Sequence, residues 1–94
     1  MIKAVILNAE DNVGVALIDL ESGTELDLKV GGQASPVTLV ENIPYQHKFS
    51  VTHINSGRKI IKYGEVIGEA TKDIKSGQHV HVHNTTGLRA KAIK

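Results

Sequence analysis

At 94 residues the chain offers one domain's worth of polypeptide, with no room for a second ordinary core or a self-contained two-domain enzyme. Eleven Lys and Arg against ten Asp and Glu leave a formal net charge of +1, and no stretch has the density of positive charge on which phosphate-backbone binding draws, so nucleic acid is not the expected partner. Cysteine is absent, which removes disulfide staples, thiolate nucleophiles and thiolate metal sites together and fits a reducing compartment.

The N-terminal run, Met1 to Asn8, is apolar for only a few residues and lacks a small-residue cleavage site, so it does not read as a signal peptide. No apolar run approaches the ~20 residues of a membrane helix, and a cytoplasmic protein without membrane contact is expected. Residues 3–8 fit helix or strand equally. Residues 12–20 read as a strand, with Val13, Val15 and Leu17 alternating with Gly14, Ala16 and Ile18. Further strands are predicted over 25–30, 37–40, 48–52, 59–63, 66–70 and 78–83, while the tail after Asn84 again fits either state. Val, Ile and Thr supply 26 of the 94 residues, against three aromatics, Tyr45, Phe49 and Tyr63; stiff β-branched chains favour strands. The glycines and prolines fall between the apolar runs, Gly14 excepted, and turns every ten residues or so mark an all-β domain.

One short pattern recurs. Asp19-Leu20-Glu21-Ser22-Gly23 is echoed by His53-Ile54-Asn55-Ser56-Gly57 and by Asp73-Ile74-Lys75-Ser76-Gly77. Each copy reads as an aliphatic anchor, a tight turn in which glycine takes positive φ, and the start of a new strand. Offsets of 34 and then 20 residues make this a recurring corner within one domain rather than a solenoid. Asp11, Asp19 and Asp73 sit beside turns, where capping of backbone amides accounts for them. Arg58, Lys59, Lys62, Arg89, Lys91 and Lys94 read as solvated charges, and His53 as a surface residue.

The densest polar feature is Gln78-His79-Val80-His81-Val82-His83-Asn84. In a strand, alternate side chains share a face, so His79, His81 and His83 would stand in a row with Val80 and Val82 behind them. Neutral imidazole is a good ligand for zinc, iron, nickel or copper. Spacing alone leaves two readings open, a metal-ligating row or a solvated face with adventitious metal affinity. A second constellation, Ile43-Pro44-Tyr45-Gln46-His47-Lys48, sets a titratable base beside a fixed cation, on opposite sides if the strand has begun. Tyr63 ends a strand, where its phenol packs on the core or hydrogen-bonds a ligand; core packing is the favoured reading. Gly64 and Gly68 are spaced too loosely for a phosphate-cradling loop.

On these residues the chain resembles the N-terminal SAF-type domain of the altronate and galactarate dehydratase family. The resemblance rests on Asp11-Asn12-Val13-Gly14-Val15-Ala16-Leu17 leading to Asp19-Leu20 and Gly23, on Ile43-Pro44 with His47-Lys48, and above all on the run from Ile61 to Ile74 that continues through Gly77 to His79-Val80-His81-Val82-His83-Asn84. It covers roughly residues 11–84 and implies a small β-clip fold, an all-β SAF-like domain of short twisted strands with Gly-rich corners. The family's corner motif agrees with the repeat, with His53 standing where the motif usually has an acid.

In family members made as one chain a much larger catalytic domain follows the His-x-His-Asn segment, whereas here residues 85–94 follow. The resemblance therefore implies a separate large dehydratase subunit, an arrangement shared with sulfolactate sulfo-lyase, and a chain inactive alone. The implied chemistry is β-elimination of water from a sugar-acid substrate to give a 2-keto-3-deoxy acid, assisted by a divalent metal, iron or manganese, shared with the large subunit. His47 would carry the proton, Lys48 would bind carboxylate with Tyr63 and Asn84 as further substrate contacts, and His79, His81 and His83 would bind metal or substrate. Two alternatives stay open: the small subunit of a sulfolactate sulfo-lyase, and a non-catalytic module that binds sugar acids or assists assembly. Edge strands are the expected interface, and a homo-oligomer in isolation is a further expectation.

Overall fold

Residues 2–87 are described by the computed structural model, and they form nine strands with no helix. In chain order these are β1 (Ala4–Val5), β2 (Val13–Ala16), β3 (Glu25–Val30), β4 (Gln33–Thr38), β5 (Lys48–Ser50), β6 (Lys59–Lys62), β7 (Glu65–Ala70), β8 (His79–Val80) and β9 (Thr85–Gly87). All pair antiparallel, in a four-stranded sheet ordered β1-β2-β5-β8, a β3-β4 hairpin, and a three-stranded sheet ordered β6-β7-β9. The all-β expectation holds, and no helix of the described residues is long and apolar enough to cross a membrane.

β2, β5 and β8 are shorter than the apolar pattern predicts, because the chain leaves each of them for a corner or a turn. Residues 17–20 leave β2 for the first corner, and β8 stops at Val80. Both ambiguous segments contain strand, β1 and β9; Arg89, Lys91 and Lys94 lie outside the described residues. β4 begins four residues before the predicted start, since Gly31 (φ 58°) and Gly32 (φ 81°) make the two-residue hairpin turn that returns the chain along β3. Pro36 is tolerated there because β4 has a strand on one side only.

The corner repeat is a structural unit, and a fourth copy exists that the sequence disguises. In each, a carbonyl accepts the amide hydrogen three residues on: Glu21 from Thr24 (3.1 Å), and Pro44 from His47, Asn55 from Arg58 and Lys75 from Gln78 (3.0 Å each). The third residue of each turn has positive φ, Gly23 at 90°, Gln46 at 69°, Gly57 at 89° and Gly77 at 84°, the geometry of a type II turn. Its N–H then donates to a distant carbonyl, of Leu39, Ala16, Ala70 and Ser50 respectively. Corners associate in pairs, through a Leu20–Ile43 bridge and an Ile54–Ile74 bridge. Side chains reinforce the pairing: Tyr45 N–H donates to Asp19 Oδ1, Ser22 N–H to Asn42 Oδ1 and Ser56 N–H to Asp73 Oδ1, each at 2.8 Å. His53, at the corresponding place in the third corner, instead sets its Nε2 2.8 Å from Asn55 Oδ1.

The anchors sort into two apolar clusters, Leu20 and Ile43 with Phe49 in one, Ile54 and Ile74 with Val80 in the other. Burying each such side chain contributes about 1.5–3 kcal/mol. The four-stranded sheet runs between them, β2 giving Ala16 to the first cluster and Val13 to the second. Gly14, inside β2, pairs with Phe49, and a Cβ on it would lie 2.6 Å from Phe49 Cζ. The gap at Gly14 is where the one phenylalanine seats its ring.

Candidate functional site

β5 and β8 lie side by side, with Lys48 opposite Val80 and Phe49 opposite His79. The seam is fixed by buried Ser50, whose hydroxyl donates to Lys75 O and accepts the N–H of Gln78 at 3.2 Å, tying the fourth corner onto β5 just before His79. His47 enters β5 from the second corner, its own carbonyl accepting Ala16 N–H at 2.9 Å. Past Val80 the chain reverses within His81–Asn84. Asn84 is buried and holds that turn, its Oδ1 accepting His81 N–H (3.0 Å) and its Nδ2 donating to His79 O (2.8 Å). Thr85 Oγ1 adds a bond to His81 O at 2.9 Å.

Three imidazoles converge there. His47 Nδ1 lies 2.9 Å from His79 Nε2, the His47 and His81 rings stack at 4.5 Å between centroids, and those of His79 and His81 at 5.4 Å. One ligand-type nitrogen from each of the three lies within 4.8 Å of the others, and all three residues are half-buried. His83 is exposed, and its ring tilts against that of His79 at 5.3 Å. The predicted row of 79, 81 and 83 on one strand face thus becomes a trio of 47, 79 and 81, with 83 outside it. The strand that would have made the row ends at Val80, and Val82, predicted to lie behind the row with Val80, is 80% exposed while Val80 is buried.

Electrostatics follow from the packing. Burial holds the His79 pKa below the usual 6.5, and the neighbouring His47, His83 and His81 push the same way against a smaller opposing pull from Glu41. His81 is likewise lowered, by desolvation first and then by His47, Lys48 and His83. Imidazoles so placed favour the neutral state, the form that donates a lone pair to a metal or accepts a proton. The Lys48 pKa is lowered from 10.5 by burial and then by Lys62. Lys48 lines a cleft of ≈ 180 Å³ with Ile60, Ile67, Gly68 and Thr85 to Gly87, so His47 and Lys48 do face different neighbours. A larger cleft, ≈ 540 Å³, lies elsewhere, against His53, Arg58 and Lys59; it holds no imidazole trio, so size does not mark the chemistry.

Of the other candidates, Tyr63 does not pack on the core as favoured. It sits at φ 56°, 51% exposed, with Lys62 Nζ 4.7 Å from its ring centroid. Its backbone N–H and that of Gly64 donate to the carboxylate of Asp11 (3.0 and 2.8 Å), which is a cap as expected, though of the distant β6–β7 turn rather than of the turn beside it. Asn84's amide is engaged with the backbone of the turn. Sequence reasoning missed the second corner and with it the pairing of His47 with His79. The frame Asn42-Ile43-Pro44-Tyr45-Gln46 matches the other corners once glycine is not required at its fifth place.

An all-β frame of paired corners, with three imidazoles gathered at a strand seam, defines a small histidine-bearing module. The chain belongs to the altronate/galactarate dehydratase SAF domain family, whose model matches residues 2–88. It is 47% identical over 79 residues to altronate dehydratase of Escherichia coli, a match covering 84% of this chain and 15% of that protein. It is 34% identical over 91 residues to the (2R)-sulfolactate sulfo-lyase subunit alpha of Chromohalobacter salexigens, covering 94% of this chain and 97% of that one. Galactarate dehydratase (L-threo-forming) of Escherichia coli is 35% identical over 78 residues, 82% of this chain and 14% of its own length. The chain therefore spans about one seventh of the dehydratases it matches, and nearly the whole of the sulfo-lyase subunit.

Proposed function

We propose that this chain is the small, imidazole-bearing subunit of a hydroxy-acid lyase of the sugar-acid dehydratase kind, working with a separate larger subunit. The observation that carries the reading is the convergence of His47, His79 and His81 from segments 32 residues apart, beside the half-buried Lys48. The trio fits a divalent ion in kind: three nitrogen donors, two of them biased towards the neutral form, clustered on about the scale of a ligand shell with metal–nitrogen bonds near 2.1 Å. Imidazoles suit iron better than manganese, which prefers oxygen. An ion held by these three would serve as a Lewis acid that steadies the negative charge developing on an enediolate oxygen.

The chain's own residues do the rest of the positioning. Lys48 Nζ binds the substrate carboxylate, whose negative charge offsets both the burial and the Lys62 repulsion that weaken its hold on a proton. Asn84 keeps His81 in place through the turn. While no ion occupies those two nitrogens, the 2.9 Å contact between His47 and His79 also supports His47 as a proton carrier, since one of them donates and the other accepts. In the overall reaction the hydrogen on the hydroxyl-bearing carbon leaves as a proton, the β-hydroxyl leaves with a proton as water, and the enol relaxes to the 2-keto-3-deoxy acid.

A second reading, the small subunit of a sulfolactate sulfo-lyase, draws support from the match to 97% of such a subunit; sulfite would then depart instead of water. The test is co-purification with the candidate larger subunit, then a panel of altronate, galactarate and sulfolactate scored for 2-oxo acid and for sulfite. Oxo acid from the sugar acids supports the first reading and sulfite the second. No product from any of the three, with the complex assembled, discards both and leaves a binding module.

A further inference from the structure

Four corners share one set of backbone hydrogen bonds, yet one differs in its side chains. Three place Ser-Gly at the two central turn positions, whereas the second places Tyr45-Gln46. Gln46 holds φ at 69°, in the left-handed region that glycine enters freely and other residues enter at a cost. Among the described residues no side-chain contact of the pair to the rest of the fold offsets that cost. Tyr45 is 55% exposed, Gln46 is exposed, and among the described residues their only side-chain hydrogen bond is the 3.4 Å contact to each other.

A second departure sits across the cluster. Val82 occupies the tip of the His81–Asn84 turn with 80% of its surface exposed, where a small polar residue would serve the turn equally. The stacking of His47 on His81 at 4.5 Å joins the two segments, so Tyr45-Gln46 and Val82 flank the same imidazoles.

We infer that Tyr45, Gln46 and Val82 form the rim on which the larger subunit docks, closing over the histidine trio. The inference rests on the reading of the chain as a small subunit. The occupant follows from the relatives, one a subunit named alpha that this chain matches almost end to end, another a chain of which the match takes only 15%. An aromatic ring, an amide and an aliphatic side chain around a polar centre have the make-up of a protein-contact surface, in which Tyr is enriched.

The test uses the full chain and the candidate larger subunit, with affinity measured by titration calorimetry and assembly by light scattering. Two variants keep the fold: Tyr45→Ser with Gln46→Gly restores the corner sequence used three times elsewhere, and Val82→Asp changes an exposed side chain. Expected is a melting temperature at or above the wild type for the corner variant and unchanged for Val82→Asp, with association weakened roughly tenfold or more in each. Unaltered affinity in both variants overturns the rim while leaving the small-subunit reading intact. Unaltered affinity with a raised KM overturns it too and assigns these side chains to the acid substrate. A wild-type dimer of this chain that the variants dissolve assigns the rim to a second copy and overturns it as well. No association of the wild-type chain with the larger subunit removes the rim and the small-subunit reading together.

Discussion

His47 Nδ1 and His79 Nε2 stand 2.9 Å apart, a separation that requires one nitrogen to donate and the other to offer a lone pair. Both rings cannot be fully protonated and keep that contact. The consequences of acid and of metal at the cluster follow from this.

The first concerns pH. The folded-state pKa values of His79 and His81 lie below 6.5, so below that pH the unfolded chain takes up protons that the folded chain refuses. The contribution of these two histidines to the stability of the metal-free protein should be level well above pH 6.5 and should decline as pH falls through and below it. Urea unfolding between pH 8 and 5, with chelator present, measures this. His79→Gln with His81→Gln should flatten the decline, and an equal decline in that variant would place its cause elsewhere.

Metal retention should separate the histidines. His47→Ala, His79→Ala and His81→Ala should each lower retained iron or cobalt by roughly tenfold or more, since each removes one of three donors, whereas His83→Ala should leave most of it. Metal content after gel filtration, or the cobalt absorption spectrum, checks this. A larger loss in His83→Ala than in His47→Ala would restore the row of 79, 81 and 83.

Asn84→Ala should cost about 1–3 kcal/mol, because it leaves the His81 amide and the His79 carbonyl without their partner in a buried turn. Histidine ring resonances should shift in the same variant. A loss of binding without loss of stability would show instead that the amide faces a ligand.

Gly14→Ala should destabilise by about 1–3 kcal/mol, the usual range for overpacking, since the added methyl meets the Phe49 ring at 2.6 Å. Thermal unfolding measures it. Pairing Gly14→Ala with Phe49→Leu should recover part of the loss, and no recovery would point to Val5 O, 3.1 Å away, as the obstacle.

Gln46→Gly alone should raise stability by up to about 1 kcal/mol, the order of the left-handed cost it removes. That corresponds to a few degrees in melting temperature for a domain of this size. A fall would mean that the Gln46 side chain stabilises the free chain after all.

Much of this was legible in the residues. β-branched runs between glycines gave the all-β class, Ser-Gly pairs gave three corners, and the acids beside them proved to be caps, as Asp19 and Asp73 show. The fourth corner stayed hidden because Gln46 takes a conformation that sequence reasoning reserves for glycine. The length of β8 was overestimated because His79-Val80-His81-Val82-His83 alternates as a strand would, while the turn is imposed by Asn84, an asparagine whose role depends on burial. Convergence of His47 with His79 follows from the β5–β8 pairing, and periodicity within either segment carries no information about which strands become neighbours.

The seam between β5 and β8 joins stretches far apart along the chain and held by different corners. During synthesis, therefore, the first half can emerge and wind its own pair of corners while still owning only one member of the trio. Neither half, cut from the other by a protease, would carry the assembled centre. Any ion that the trio binds would then be loaded only once the chain has been made as far as His81 and the seam has closed.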